Sequence, residues 1–453
     1  MSDTRPIARG SASSRLRRYL YSLIARYLSY FTNADSRVLE VGPTSPLLRE
    51  MMVAGSVAAY RPAPGAGFAA SQIIDDFDAA VAFRADRIVL NGLIHFEADI
   101  QARLEEVHRL CRPSTRLLIV HYSSLWRPIF SLAHLLGLQP NVRKTNWIAP
   151  SDLVNLLTLS GFSLVNTQTR VLVPVWIPLV GDVVNRWLAP LPVFNWFALL
   201  RVSVARPLMN EWPTPPSVSV VVPARNESGN IASLVERLPR MGPADELIFV
   251  EGHSTDDTWA AMQQAAARWP DRRITCLQQK GRGKGDAVRA GFDVARGEIL
   301  MILDADLTVP PEDLPKFYRA RLSGVCEFVN GSRLVYPMET EAMRFANMVG
   351  NKLFALAFSF LLGQPFKDTL CGTKVIDREA YRELARNRGY FGEFDPFGDF
   401  DLLFGAQRLG LRIVELPIRY RERTYGTTNI QRWRHGLLLL RMTLFAARRV
   451  KFI

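Results

Sequence analysis

Between Pro207 and Pro216 the chain reads Pro-Leu-Met-Asn-Glu-Trp-Pro-Thr-Pro-Pro, four prolines in ten residues. Each proline fixes its own φ and removes a backbone donor, so this stretch forms neither a helix interior nor an inner strand. It reads as a linker at 207–216 with a folded body on either side, and 453 residues exceed one ordinary domain. In both bodies short apolar runs alternate with segments of helical periodicity, which is the pattern of α/β layering. Upstream, Arg37–Gly42 and Arg116–Tyr122 read as strands and Glu97–Cys111 as a helix, while Ser151 caps a helix over 152–160 that Gly161 closes. Downstream, Val218–Val222, Glu246–Glu251 and Glu298–Leu303 read as strands, with helices at Ile231–Leu238, Thr258–Arg268 and Gly285–Ala295. Each downstream strand hands over to a polar turn, and ligands of open α/β sheets bind beyond such carboxyl ends.

A net charge of +13 asks for an anionic partner. From Arg423 to Ile453 there are seven Lys/Arg and no acid, interleaved with too much aliphatic bulk for a nucleic-acid arm. Over 431–453, Arg434, Arg441 and Arg448 recur by sevens and make one basic stripe on a helix suited to an anionic lipid surface. Leu353–Leu362 is a second apolar segment, placed to guide a lipid chain or to fill a core. The segment 1–34 is basic and amphipathic, with Leu16, Leu20, Leu23 and Tyr27 at helical spacing. No uninterrupted apolar run is long enough to span a bilayer, Val171–Leu200 being broken by prolines and Asp182, and no clean signal peptide is visible. The four cysteines form no ligand pattern and read as reduced thiols. The expectation is a cytoplasmic protein held peripherally on the inner face of a membrane, with no nucleic-acid partner.

Asp304-Ala-Asp306 follows the strand Glu298–Leu303. Side chains two apart on a strand point the same way, so the two carboxylates are expected to converge and to suit a hard divalent cation shared with phosphates. A lone Asp-x-Asp is weak, and its neighbours give it weight. Val220-Val-Val-Pro-Ala-Arg-Asn-Glu227, Val250-Glu-Gly-His-Ser-Thr-Asp-Asp-Thr258, Gly283-Lys-Gly-Asp-Ala287, Gly331-Ser-Arg333, Asp368-Thr-Leu-Cys-Gly-Thr-Lys374 and Glu415–Arg423 follow in an order that resembles the family 2 glycosyltransferases. The resemblance is to the dolichol-phosphate mannosyltransferase and polyprenyl-phosphate glucosyltransferase branch, and it covers 217–430. It implies a glycosyltransferase A-type nucleotide-diphospho-sugar transferase fold and Mg²⁺ or Mn²⁺ on Asp304 and Asp306. By the same resemblance a GDP- or UDP-sugar contacts Pro223, Ala224, Asn226, Glu227, Glu251, Ser254, Asp256, Lys284, Asp304 and Arg423, and an acceptor phosphate meets Arg333, Arg344 and Asn351. The chain departs from the pattern at Gly252 and His253, near the base and ribose, and at Asn429, where a lysine is usual; Arg423 and Lys284 are candidates to compensate.

The reaction implied is displacement at the anomeric carbon with a nucleoside diphosphate leaving. A phosphomonoester acceptor, with a second pKa near 6, is already largely a dianion at neutral pH and needs no base. A hydroxyl acceptor does need one, and Phe397-Gly-Asp-Phe-Asp401 supplies the candidates: Asp399 and Asp401, which share a face if locally extended. The bland alternative for them is a solvated acidic turn or a helix cap.

Upstream, Val38-Leu-Glu-Val-Gly42, Arg87–His95 and Leu117-Leu-Ile-Val120 resemble a class I S-adenosylmethionine methyltransferase over about 35–170, within a body expected at 35–206. The expected fold class is thus α/β with two Rossmann-like domains. Glu40, Gly42 and Asp76 are the candidate S-adenosylmethionine contacts, but Pro43 and Pro46 stand where that family carries glycines. The readings open at this stage are sugar transfer to a polyprenyl phosphate, sugar transfer to a hydroxyl of a glycan or glycolipid, and a methyltransferase or scaffold with a transferase attached.

Overall fold

In the computed structural model, residues 10–135, 146–209, 212–336, 345–388, 400–423, 425 and 432–453 are described. The chain divides into two units, Met1–Met209 with Lys451–Ile453 and Asn210–Val450.

The first unit holds strands β1 (Arg37–Val41), β2 (Ser56–Tyr60), β3 (Ile73–Ile74), β4 (Arg87–Asn91), β5 (Arg116–Tyr122), β6 (Phe162–Arg170) and β7 (Leu200–Pro207) in the order β3-β2-β1-β4-β5-β7-β6. The first five are parallel, and β7 runs antiparallel to both β5 and β6. The inner strands are covered on both faces, which is why Ile88-Val-Leu90 and Leu117–Val120 are continuous apolar runs rather than alternating ones. The helix Gly10–Ser29 buries Leu23, Ile24, Tyr27 and Leu28 and so belongs to this unit. Two local expectations are corrected. Ser151 lies inside the helix Pro150–Leu159, whose N-cap is Ala149, because Pro150 is pre-set for the first helical turn. Pro207 is the last residue of β7 rather than part of a linker.

The second unit holds β8 (Val218–Ala224), β9 (Asp245–Glu251), β10 (Arg273–Gln278), β11 (Ile299–Ile302), β12 (Phe328–Ser332), β13 (Lys374–Asp377) and β14 (Ile413–Pro417), in the order β10-β9-β8-β11-β13-β12-β14. Strands β8 to β11 are parallel. β13 is antiparallel to β11 and β12, and β14 is parallel to β12. This pairing decides what meets at the carboxyl edge. Ile302 is opposite Lys374 and Asn330 is opposite Lys374, so the segment entering β13 and the segment leaving β12 both arrive there. Ser332 is opposite Pro417, which brings the chain after β14 to the same edge.

The core of this unit is built from Val220, Val222, Phe249, Met301 and Phe317, each burial contributing roughly 1.5–3 kcal/mol. The helix Gly283–Val294 lies directly on β8 because Gly291 has no side chain: a Cβ there would sit 2.4 Å from Val221 Cγ1. At the far end, the helix Arg432–Ala446 buries Leu439, Met442 and Ala446 and exposes Leu437, Leu440 and Leu444. Among the described residues no helix is long and apolar enough to cross a membrane.

Candidate active site

Three turns carry the chain away from β8, β9 and β11, and each contains a non-glycine residue at positive φ: Asn226 (+58°), His253 (+59°) and Leu307 (+56°). Such conformations cost about 1–3 kcal/mol and persist only where the surroundings fix them. Here the fixing contacts are visible. Asn226 accepts from the Thr255 amide at 2.8 Å through Oδ1 and donates its own amide to Ser254 Oγ at 3.1 Å. The Ser254 amide in turn donates to the Glu251 carboxylate. His253 shares a 2.8 Å hydrogen bond with the Gly281 carbonyl, and the Gly281 amide donates to Asp286 at 2.9 Å.

The charged side chains interlock across these turns. Arg423 spans two of them, donating to Glu227 Oε1 at 2.9 Å and to Asp306 Oδ2 at 2.7 Å. Asp306 Oδ1 accepts from Thr308, at 3.1 Å from the amide and 2.7 Å from the hydroxyl. Lys284, at the start of the helix Gly283–Val294, lies 2.5 Å from Asp304 Oδ1. Burial pushes Glu227 up from the usual carboxylate range, against the opposing pull of Arg423 and the hydrogen bond from Asn230 at 2.7 Å. Three acids and two bases thus interlock where the strands end, an arrangement able to take a diphosphate on its cations and a metal on its carboxylates.

The placement bears on three expectations. β11 stops at Ile302, so Asp304 and Asp306 stand in a turn and are aimed by Lys284, Thr308 and Arg423 rather than by strand alternation. Asp401 is not on an extended segment: it lies in the first turn of the helix Phe400–Arg408, 5% exposed, with Arg289 at 3.9 Å. Arg333 and Asn351 are turned onto Asp368 rather than onto open space. Arg333 donates to it from Nε at 2.7 Å and Nη2 at 2.8 Å, and Asn351 donates at 2.9 Å. Arg344, Asp399 and Asn429 lie outside the described residues. Asp256 receives hydrogen bonds from Ser228 and Thr258 that outweigh burial and lower its pKa, so its carboxylate ties two helix starts together. Pro223 and Ala224 end β8.

Sequence reasoning missed the contact made by Gly372. A Cβ on that residue would lie 2.1 Å from Asp304 Oδ2 and 2.2 Å from Lys284 Nζ, so the backbone of the segment entering β13 is the wall against which the pair rests. Its only sequence signal is a glycine inside Asp368–Lys374. We expect Gly372→Ala to force Lys284 and Asp304 apart and to lower turnover by about 10²-fold, as displacements near 1 Å do at reacting centres. Steady-state rates beside a melting curve check this; unchanged turnover would show that the pair is not used as placed.

The sequence model described as Glycosyl transferase family 2 matches residues 219–385, which contain every one of these groups except Arg423 and Asp401. Glycosyltransferase AglJ of Haloferax volcanii is 30% identical over 226 residues, which are 49% of this chain and 70% of that protein. The chain belongs to glycosyltransferase family 2. A dolichyl-phosphate hexose transferase of the same organism is 31% identical over 48% of this chain and 89% of its own length. An undecaprenyl-phosphate 4-deoxy-4-formamido-L-arabinose transferase of Edwardsiella ictaluri is 32% identical over 51% of this chain and 67% of its own. As a family 2 glycosyltransferase the chain is an enzyme.

The candidate cofactor end of the first unit has a different character. Glu40 is 2% exposed and burial pushes its pKa up to about 8, against a hydrogen bond from Asn91. Gly42 is pressed against Leu93, whose Cδ1 lies 2.8 Å from where a Cβ would stand. Asp76 caps the helix Phe77–Ala82, accepting from the Ala79 amide at 2.9 Å.

Proposed function

We propose that the second unit moves a sugar from a nucleotide-sugar to a polyprenyl phosphate, with inversion, at the cytoplasmic face of a membrane. The observation that carries this reading is the chain Glu227–Arg423–Asp306 beside Asp304–Lys284: two cations ready to accept a diphosphate and two carboxylates that point at the same edge. Lys284 and Arg423 would hold the donor's diphosphate, while the turn residues Asn226, Glu251 and Ser254 would face the nucleoside.

Among the described residues no three His, Cys, Asp or Glu side chains gather into a metal cage. Two carboxylate ligands completed by diphosphate oxygens nevertheless fit Mg²⁺ or Mn²⁺, which prefer hard oxygen donors and are commonly shared with phosphates. Asp304 and Asp306 would hold such an ion, which would supply Lewis-acid neutralisation of the leaving diphosphate. In the displacement a phosphate oxygen of the acceptor forms the new bond to the anomeric carbon. The bond to the nucleoside diphosphate breaks and its electron pair leaves with the diphosphate. No proton has to be removed, because the acceptor arrives as an anion. The position of Asp401 argues against that residue as the base a hydroxyl acceptor would need: it is a carboxylate buried in a helix beside Arg289. The names of the two polyprenyl-phosphate relatives support it further. The exposed Leu437, Leu440 and Leu444, next to exposed Arg441 on the C-terminal helix, support a peripheral seat on lipid.

For the first unit, the order β3-β2-β1-β4-β5-β7-β6 with an antiparallel β7 supports a class I methyltransferase-like scaffold. Its residues do not fit S-adenosylmethionine: Glu40 is buried, with its carboxyl pushed towards the neutral form, Leu93 fills the approach at Gly42, and Asp76 is a helix cap. We therefore assign it no methyl transfer.

Incubating the full chain with labelled GDP- and UDP-sugars and membrane lipids tests both statements. Label is expected in a lipid that mild acid cleaves, and Asp401→Asn is expected to retain that activity. Label in an acid-stable product would overturn the acceptor. A rise in melting temperature with added S-adenosylmethionine would overturn the scaffold reading.

A further inference from the structure

Residues 171–199, between β6 and β7, build a surface that the transferase chemistry does not use. Their only charged residues are Asp182 and Arg186. Asp182 lies 3.7 Å from Arg26, and Arg186 donates to the Phe452 carbonyl at 2.9 Å. Large apolar side chains in this segment point outward: Trp176 is 61% exposed, Leu179 83%, Trp196 66% and Phe197 61%. Exposure on this scale is unusual for a folded domain and marks an interaction site.

This is not a loose loop. Asn185 is buried and holds the segment from inside, accepting from the Leu172 and Val173 amides at 2.9 Å each and donating to the Val173 carbonyl at 2.8 Å. Two tips are made the same way. In Pro178-Leu179-Val180 and Pro192-Val193-Phe194 the third residue's amide donates to the proline carbonyl, at 2.7 and 2.9 Å, with Leu179 at φ +61° and Val193 at φ +72°. These are γ-turns of the rare, strained hand, and each holds an apolar residue out at its tip. A third apolar strip adjoins them. Trp126 Nε1 donates to the Phe197 carbonyl at 2.8 Å, and the helix Arg127–Leu135 that follows exposes Ile129, Leu132 and Leu135.

Charge identifies the occupant. The helix Gly10–Ser29 is joined to this surface through Tyr19, whose hydroxyl is 3.3 Å from Asn185, and through the Arg26–Asp182 pair. It contains no acid and exposes Arg15, Arg17, Arg18 and Arg26. Arginines beside protruding tryptophan and aliphatic tips match the interface of an anionic bilayer, where indole rings sit at headgroup depth and basic side chains meet lipid phosphates.

We propose that the first unit carries a lipid-docking surface of its own, formed by the Leu179 and Val193 tips, Trp176, Trp196 and the helix Arg127–Leu135, flanked by the arginines of Gly10–Ser29. It is independent of the C-terminal helix and of which acceptor the transferase uses. The sugar-binding turns are not part of it, so its failure and the failure of the transferase reading are separate results.

The test is co-sedimentation of the full chain with vesicles of phosphatidylglycerol and phosphatidylethanolamine in equal parts, against vesicles of phosphatidylcholine alone. Wild type is expected to partition onto the anionic vesicles. Trp176→Glu with Trp196→Glu, leaving the C-terminal helix intact, is expected to bind at least about tenfold more weakly while still transferring sugar in detergent. Arg15→Gln, Arg17→Gln and Arg18→Gln together are expected to reduce the preference for anionic lipid, the C-terminal helix being left intact. Because charged substitutions can disturb folding, hydrogen exchange on the wild-type chain is the second measurement: amides of 174–197 slow on anionic vesicles. Unchanged partitioning of the tryptophan variant, no protection of 174–197, or a wild-type dimer that this variant dissociates would each overturn the proposal, the last by assigning the face to a second copy of the chain.

Discussion

Asp304→Asn is expected to lower sugar transfer by about 10²–10³-fold at saturating donor while leaving the unfolding midpoint nearly unmoved. Magnitudes separate the two roles that Asp304 can have. Its contact with Lys284 is partly exposed, with 28% and 27% of the two side chains accessible, and such a pair stabilises a fold by only about 0–1 kcal/mol. A preorganised charge aimed at a developing one is worth about 3–4 kcal/mol of barrier. The substitution removes the second and little of the first. Asp306→Asn is expected to act alike, and because Arg423 is shared with Glu227 it should also raise the KM for the nucleotide-sugar. The measurement is a kcat and KM pair for each variant beside a melting curve. A change in KM alone would mean that the carboxylates bind substrate and transition state equally and leave the chemistry to other groups.

Much of this edge was legible in the sequence for a physical reason. Val218–Val222 is a buried, mostly β-branched run and Leu247–Val250 a buried apolar one, and such runs declare themselves locally. The polar turns after them were legible as well, because only turn-forming residues follow. What was not legible depends on pairing between distant segments. Lys284 and Arg423 stood out as charges, but which carboxylates they meet depends on how distant strands pair, the chain after β14 reaching this edge because β14 runs parallel to β12. Register of that kind is fixed by the folded sheet, not by any window of sequence. Gly372 acts through the atom it lacks, and Asp401 lies in the first turn of the helix Phe400–Arg408, between the extended segment and the helix cap that the sequence left open. The stretch 171–199 offered only a proline-broken apolar run. Its two tips exist because Pro178 and Pro192 are each followed by a residue held at positive φ.

Asp368 illustrates the same limit and carries the largest expected effect on stability. Its side chain is fully buried, and Arg333, 35 residues earlier, is 12% exposed. Burial alone would raise the Asp368 pKa, but the charge and hydrogen bonds of Arg333, with Asn351 behind them, reverse this and bring it down to about 2. The unfolded value is near 3.9, so the folded state releases this proton more readily. The sign follows: the stabilisation is complete at pH values above the unfolded pKa and is lost as pH falls through 3.9 towards 2. Its size by linkage is about 3 kcal/mol. Asp368→Asn removes the negative charge and strands a buried guanidinium, which is expected to cost about 3–5 kcal/mol at neutral pH. Urea unfolding, followed by amide exchange in Phe328–Ser332, measures the loss. The double variant Arg333→Met with Asp368→Leu separates charge from packing. If the penalty arises from an unpaired buried charge, the double variant recovers most of the stability that Asp368→Asn loses. If it remains as unstable as the single variant, the hydrogen bonds from Asn351 and the Arg333 amide, and not the ion pair, hold the segment that places Gly372 against Asp304.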